Sequence, residues 1–86
     1  MKEEQILKVA NVLEEWNPLG EAANTVEQLD GYRYEAIDII STIKIVNGPG
    51  KIKESIEQVL TQAFNIDLDK DKLDEATNKI INLLSL

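Results

Sequence analysis

The residues best suited to chemistry in this 86-residue sequence are carboxylates. Five of them flank a Trp-containing corner and the start of the segment that follows it: Glu14, Glu15, Asp30, Glu35 and Asp38. Carboxylates alone can bind a hard cation or act as an acid and base pair. The sequence contains no His and no Cys, which excludes imidazole ligands, thiolate ligands and thiol nucleophiles. The carboxylates therefore carry the alternative function that we consider, a small enzyme or a cation-binding protein.

Two stretches resemble ligand-binding loops without completing them. Asp67, Asp69 and Asp71 alternate like the first ligands of a calcium loop, but the Gly and the Glu that such a loop needs later are absent. The Gly-rich stretch 48–51 lacks the first Gly and the Ser or Thr of a phosphate loop. We therefore predict no cofactor, no metal and no catalytic residue, and interpret Asp69 as a helix N-cap.

Composition and charge indicate the class of partner. The formal net charge is −7, whereas nucleic acids and anionic membranes attract basic surfaces. A protein partner of basic character remains compatible with the charge, although solubility alone also explains an acidic surface. No stretch reaches the ~18 apolar residues of a membrane helix. We expect no signal peptide, because no long apolar run follows the first four residues. We expect a cytoplasmic protein of bacterial type.

The elements that must position these residues are predicted to be helices. Hydrophobic residues make up 43 % of the chain and aromatic residues only 5 %, so the core must be aliphatic. The apolar spacing predicts helices in four stretches: 3–16, 32–46, 51–64 and the residues after Asp69. We expect an all-α domain spanning 1–86, a small bundle of three to four helices. Its predicted core consists of Ile40, Ile43, Ile56, Leu60 and Leu73.

The stretch from 21 to 46 is the least decisive part of the sequence. We predict that residues 21–31 form a long loop with one helical turn. Thr25 would cap this turn, with Gln28 in the capping-box position. Residues 32–46 contain alternating isoleucines, which also resembles a strand. Because the chain offers no second strand to pair with it, we predict a helix that is buried over much of its circumference.

A corner is predicted at Trp16-Asn17-Pro18-Leu19-Gly20, which holds the chain's only Trp. Pro18 disfavours helical dihedral angles at the preceding residue, so the first helix should end at Trp16 or Asn17. Gly20 permits the positive φ that a tight turn often needs. Two interpretations stay open: Trp16 clamps the corner as a buried side chain, or it faces solvent and binds a partner.

Two stretches of the sequence follow recognisable motifs. Trp16, Pro18 and Gly20 match the motif Trp-Asp-Pro-Ile-Gly, and Asp30, Tyr32 and Glu35 match the motif Asp-Glu-Tyr-Asp-x-Glu. On these motifs the sequence resembles the YugE-like family of short bacterial proteins with a domain of unknown function. Acidic residues of the two motifs are replaced here by Asn17, Gly31 and Arg33. The resemblance implies an all-helical fold of about four helices and no established activity.

We therefore expect a non-enzymatic protein-interaction module with an immunity-like or regulatory role. We expect its partner to be an unknown protein, with basic character if the acidic charge of this chain determines the choice of partner. We expect neither nucleic acid nor a membrane as a partner. A homo-oligomer is also compatible with the sequence. The candidate residues of an interaction site or structural corner are Trp16, Asn17, Pro18, Gly20, Asp30, Tyr32 and Glu35.

Overall fold

The chain folds as an all-α bundle, as predicted. The computed structural model describes residues 2–26, 29–45 and 48–84, and these residues contain no strand. The α-helices are α1 (Glu3–Trp16), α2 (Arg33–Ile43), α3 (Pro49–Phe64) and α4 (Lys70–Leu84). Two short 3₁₀ helices, Gly20–Thr25 and Asp30–Tyr32, lie between α1 and α2. None of the helices in the described ranges has the length and apolar character needed to cross a membrane.

All four helices contribute to one hydrophobic core. Helix α1 contacts α2 and α4, and α3 contacts the same two helices. The apolar residues of α1 that repeat every three or four positions are buried, among them Ile6, Val9 and Leu13. The predicted core is confirmed, since each of its members is buried: Ile40, Ile43, Ile56, Leu60 and Leu73.

The end of α1 follows the prediction but uses a different backbone conformation from the one that Pro18 favours. Asn17 is the C-cap, and its N–H donates to the carbonyl of Leu13 at 2.7 Å. Its φ of 51° is left-handed rather than extended. Asn tolerates this conformation better than most residues, which is why the chain can turn here without a Gly.

The segment 32–46 is helical over Arg33–Ile43, so the strand alternative is wrong. Ala36, Ile39, Ile40 and Ile43 are buried between the neighbouring helices, which agrees with the broad apolar face. Lys44 and Ile45 form a turn, and Val46 lies outside the described residues. Tertiary packing therefore outweighs the β-propensity of the isoleucines.

The long loop differs from its prediction. Thr25 ends a 3₁₀ helix instead of opening a helical turn, because its hydroxyl donates back to the carbonyl of Ala22 at 2.7 Å. Gln28, the predicted capping-box partner, lies outside the described residues. Downstream, α3 begins at Pro49, two residues earlier than expected. Proline suits this first position, because the N–H that it lacks would have no hydrogen-bond partner within the helix.

The N-cap of α4 is confirmed and gives a testable stability effect. Asp69 Oδ1 accepts the backbone N–H of Asp71 at 2.9 Å and that of Lys72 at 3.3 Å. Asp69→Ala is expected to lower the free energy of unfolding by about 1 kcal/mol, measured by urea denaturation. Asp71→Ala, in the same helical turn, should change it by only a few tenths of a kcal/mol. Equal losses in both variants would contradict the cap.

Candidate functional site

Tyr32 stabilises the corner after α1. Its side chain is 2 % exposed, and its ring meets Phe64 edge-on with 6.0 Å between ring centroids. The Tyr32 hydroxyl donates to Asn17 Oδ1 at 2.7 Å and accepts the backbone N–H of Leu19 at 3.3 Å. These contacts, the Asn17–Tyr32 clamp, join two segments that lie 15 residues apart in the chain.

The environment of this hydroxyl keeps it protonated. Burial raises the pKa of Tyr32, the Leu19 N–H opposes that effect, and the carboxylates of Glu35 and Glu14 raise the pKa further. A neutral phenol can donate its proton to Asn17, so the electrostatics and the hydrogen-bond geometry agree.

Three successive residues before α2 are left-handed. The φ angles are 47° at Asp30, 61° at Gly31 and 64° at Tyr32. Such a conformation costs roughly 1–2 kcal/mol at each residue that carries a side chain, but not at Gly. We call Asp30-Gly31-Tyr32 the left-handed turn. Strain of this kind is often retained at functional positions, which directs attention to its surroundings.

The left-handed turn packs against the carboxylate of Glu14 in α1. A Cβ atom at Gly31 would lie 2.5 Å from Glu14 Oε1, closer than any real contact, so the glycine is what allows the approach. Glu14 and Asp30 line one open groove, although they come from different elements.

The groove between α1 and the left-handed turn is open and has a volume of about 510 Å³. Leu7 contributes its side chain to the groove and is 57 % exposed, although it belongs to a helix whose other large apolar residues are mostly covered. The groove is also lined by Ala10 and Asn11 of α1. We call it the α1 groove. It combines an exposed apolar side chain with a charged rim.

Two ion pairs border the α1 groove. Arg33 donates two hydrogen bonds to the carboxylate of Glu3, one of them 2.5 Å long, and these bonds lower the pKa of Glu3. Lys8 Nζ lies 3.0 Å from Glu4 Oε1, one helical turn away. Both basic side chains of the groove are therefore already matched by a carboxylate.

The remaining charges of the α1 groove are negative. Within the described part of the chain, neither Glu14 nor Asp30 has a basic nitrogen within ion-pair distance. The hydrogen bonds from Glu3 raise the pKa of Arg33, and the nearby charge of Asp30 raises it slightly further. The two carboxylates leave the groove with a net negative potential.

The candidate residues from the sequence divide into groups. Asn17, Gly20 and Tyr32 lie together, since Asn17 Nδ2 donates to the Gly20 carbonyl at 3.2 Å. Asp30 lines the α1 groove.

Trp16 is half-buried on the other side of α1, where it borders two smaller cavities together with Lys72 of α4. The burial of the Trp16 side chain is intermediate between the buried clamp and the solvent-exposed binding residue that the sequence left open. Pro18 borders one of those cavities, of about 230 Å³.

The carboxylates near Trp16 do not come together as a set. Glu15 points toward α4, where Lys79 lies 3.7 Å away, while Glu35 and Asp38 belong to α2. Among the residues that the structure describes, no three acidic side chains are grouped so that they could hold a metal ion. Two of the five, Glu14 and Asp30, line the α1 groove together.

Glu35 is the most unusual carboxyl of the described residues. Its Oε1 atom is buried and has no hydrogen-bond partner there. Burial raises the pKa of Glu35, the neighbouring charge of Asp38 adds to the effect, and its own backbone N–H opposes it. Glu35 lies on α2 and is not among the residues that line the α1 groove.

The stability of the fold should depend on pH through Glu35. Because its folded pKa is raised, its ionised form destabilises the fold above that pKa, and the penalty disappears as the pH falls through it. Glu35→Gln is therefore expected to raise the urea midpoint at neutral pH and to lose this advantage near about pH 4. Glu21→Gln, at an exposed position, is the control. Identical pH profiles for Glu35→Gln and wild type would contradict the burial of this charge.

Sequence reasoning missed Leu7 and Gly31. Leu7 lies outside the apolar stripe of Ile6, Val9 and Leu13, and this displaced leucine is the signal that could have indicated a surface with a function. Gly31 had no such signal, because its contact with Glu14 spans two elements.

Comparison of the chain with protein-family models, with curated proteins and with solved structures finds no match. The resemblance to the YugE-like family therefore stays a prediction.

Proposed function

We propose that this chain is a non-enzymatic protein-interaction module that binds a partner protein through the α1 groove. The observation that supports the proposal most strongly is the exposed Leu7 inside a concave groove whose unmatched charges are both negative. Scattered surface leucines are common and need no explanation, but one placed in a groove beside charged residues is typical of a binding surface. An immunity-like or a regulatory role is the form of this function that we favour.

Contacts that join separate elements around the α1 groove also favour binding. The Asn17–Tyr32 clamp fixes the corner that leads to the left-handed turn, and the ion pair of Arg33 with Glu3 joins α2 to the start of α1. A preformed surface loses less conformational entropy when a partner binds. The strain held in the left-handed turn is consistent with a shape that is kept for binding.

The proposal is tested by replacing the leucine in the α1 groove and a leucine elsewhere. Leu7→Ser should abolish the capture of a specific partner from extracts of cells that produce this chain. Leu83→Ser is the control, because Leu83 is also exposed, at 39 %, but does not line the α1 groove; it borders the neighbouring cavity between α1 and α4. Circular dichroism must first show that both variants are folded. Equal capture by Leu7→Ser and Leu83→Ser would overturn the proposal.

A further inference from the structure

The chemistry of the α1 groove restricts the kind of partner that it can bind. The two carboxylates that lack a basic partner in the described residues, Glu14 and Asp30, come from α1 and from the left-handed turn. A ligand that places a cation between them gains two attractive interactions without breaking an existing ion pair. An uncharged or acidic ligand gains neither.

A second copy of this chain is a poor occupant. Each copy carries a formal net charge of −7, so association would bring like charges together around an already acidic rim. A phosphate-bearing ligand is disfavoured by the same charges. The partner must instead carry positive charge where it meets the α1 groove.

The apolar part of the α1 groove requires a second feature in the partner. Leu7 is exposed beside Ala10, which is itself almost covered, so an apolar side chain can lie on α1 at this position. Asn11 lies one helical turn beyond Leu7, between this apolar surface and Glu14. An apolar group and a basic group about two helical turns apart on the partner would meet Leu7 and Glu14 together.

We infer that the α1 groove binds an amphipathic basic segment of a protein, with an apolar side chain on Leu7 and an Arg or Lys between Glu14 and Asp30. The inference rests on the proposed function and specifies the chemistry of its partner. Arg suits the site better than Lys, because its planar guanidinium can bond two carboxylates in a fixed geometry.

The test uses synthetic peptides as probes. One is a 12-residue helix-forming peptide with two leucines and two arginines on the same face, and the other has the same composition in scrambled order. We expect the amphipathic peptide to bind more tightly than the scrambled one, with amide shifts confined to residues 7–14 and to Gly31. The double variant Glu14→Gln, Asp30→Asn should weaken its binding about tenfold and reduce the salt dependence.

The control double variant, Glu54→Gln with Asp71→Asn, removes the same amount of charge from exposed positions of α3 and α4. It should weaken binding less than about twofold. Equal weakening by both double variants, or equal binding of both peptides, would overturn the inference. If Leu7→Ser abolishes partner capture while Glu14→Gln, Asp30→Asn leaves it unchanged, the basic chemistry is wrong and the proposed function stands. If neither variant affects capture, both fail.

Discussion

Tyr32→Ala is expected to lower the free energy of unfolding by about 3–5 kcal/mol, the range for truncating a buried aromatic side chain. The ring is almost fully covered and packs edge-on against Phe64. The hydroxyl also supplies both hydrogen bonds of the Asn17–Tyr32 clamp. The loss is large for a domain of this size, because small domains have only modest stability. Urea denaturation monitored by Trp16 fluorescence measures it.

Two further variants separate the contributions at this corner. Tyr32→Phe keeps the ring and removes the hydroxyl, so it should lower the free energy of unfolding by about 0.5–1.5 kcal/mol. Trp16→Ala, followed by circular dichroism, should have a smaller effect than Tyr32→Ala, since Trp16 is only half-buried. A larger loss of unfolding free energy for Trp16→Ala than for Tyr32→Ala would show that Trp16, not Tyr32, is the main residue that stabilises the corner.

Gly31→Ala is expected to lower the free energy of unfolding by about 1–2 kcal/mol, because a side chain at this residue must adopt a left-handed conformation. The added Cβ would also meet the end of the Glu14 side chain, which can swing away at little energetic cost. The stability loss should therefore come mainly from the backbone, while the position of the Glu14 carboxylate in the α1 groove changes.

Gly20→Ala is the matched control for Gly31→Ala. Gly20 has nearly the same φ, 60°, but a Cβ there would meet nothing within 4 Å. Both variants should lose similar stability in urea denaturation, whereas Gly31→Ala alone should weaken the binding of the amphipathic basic peptide. Unchanged peptide binding by Gly31→Ala would show that the position of Glu14 is irrelevant to the α1 groove.

The helices could be predicted from the sequence because their causes are local. The spacing of Ile6, Val9 and Leu13 indicated α1, and the residues before Pro18 indicated its end. The core was predictable for the same reason, since each predicted member lies on an apolar helical face. The start of α3 was less predictable: the helix begins at Pro49 rather than at residue 51, because a proline suits the first position of a helix.

The α1 groove could not be predicted in the same way, because its parts lie far apart in the chain. The hydroxyl of Tyr32 reaches its acceptor on Asn17 because the 3₁₀ helix Asp30–Tyr32 packs against α1, a contact between distant parts of the chain. The left-handed φ of Tyr32 has no signal in an aromatic residue, whereas Gly31 and Asp30 are types that tolerate it. Among the candidate residues, Asp30 was found because it is acidic, while Leu7 was overlooked because it is one leucine among several.

Site-specific photo-crosslinking tests the central claim, that the α1 groove binds a partner protein, most directly. A photoreactive residue is placed at Asn11, which is exposed and lines the α1 groove, and in a control at Asn82, which is exposed on α4 and lines only the neighbouring cavity between α1 and α4. After irradiation of cells that produce the chain, we expect one discrete covalent adduct with a protein from Asn11 and none from Asn82. The same adduct from both positions, or from Asn82 alone, would contradict the claim.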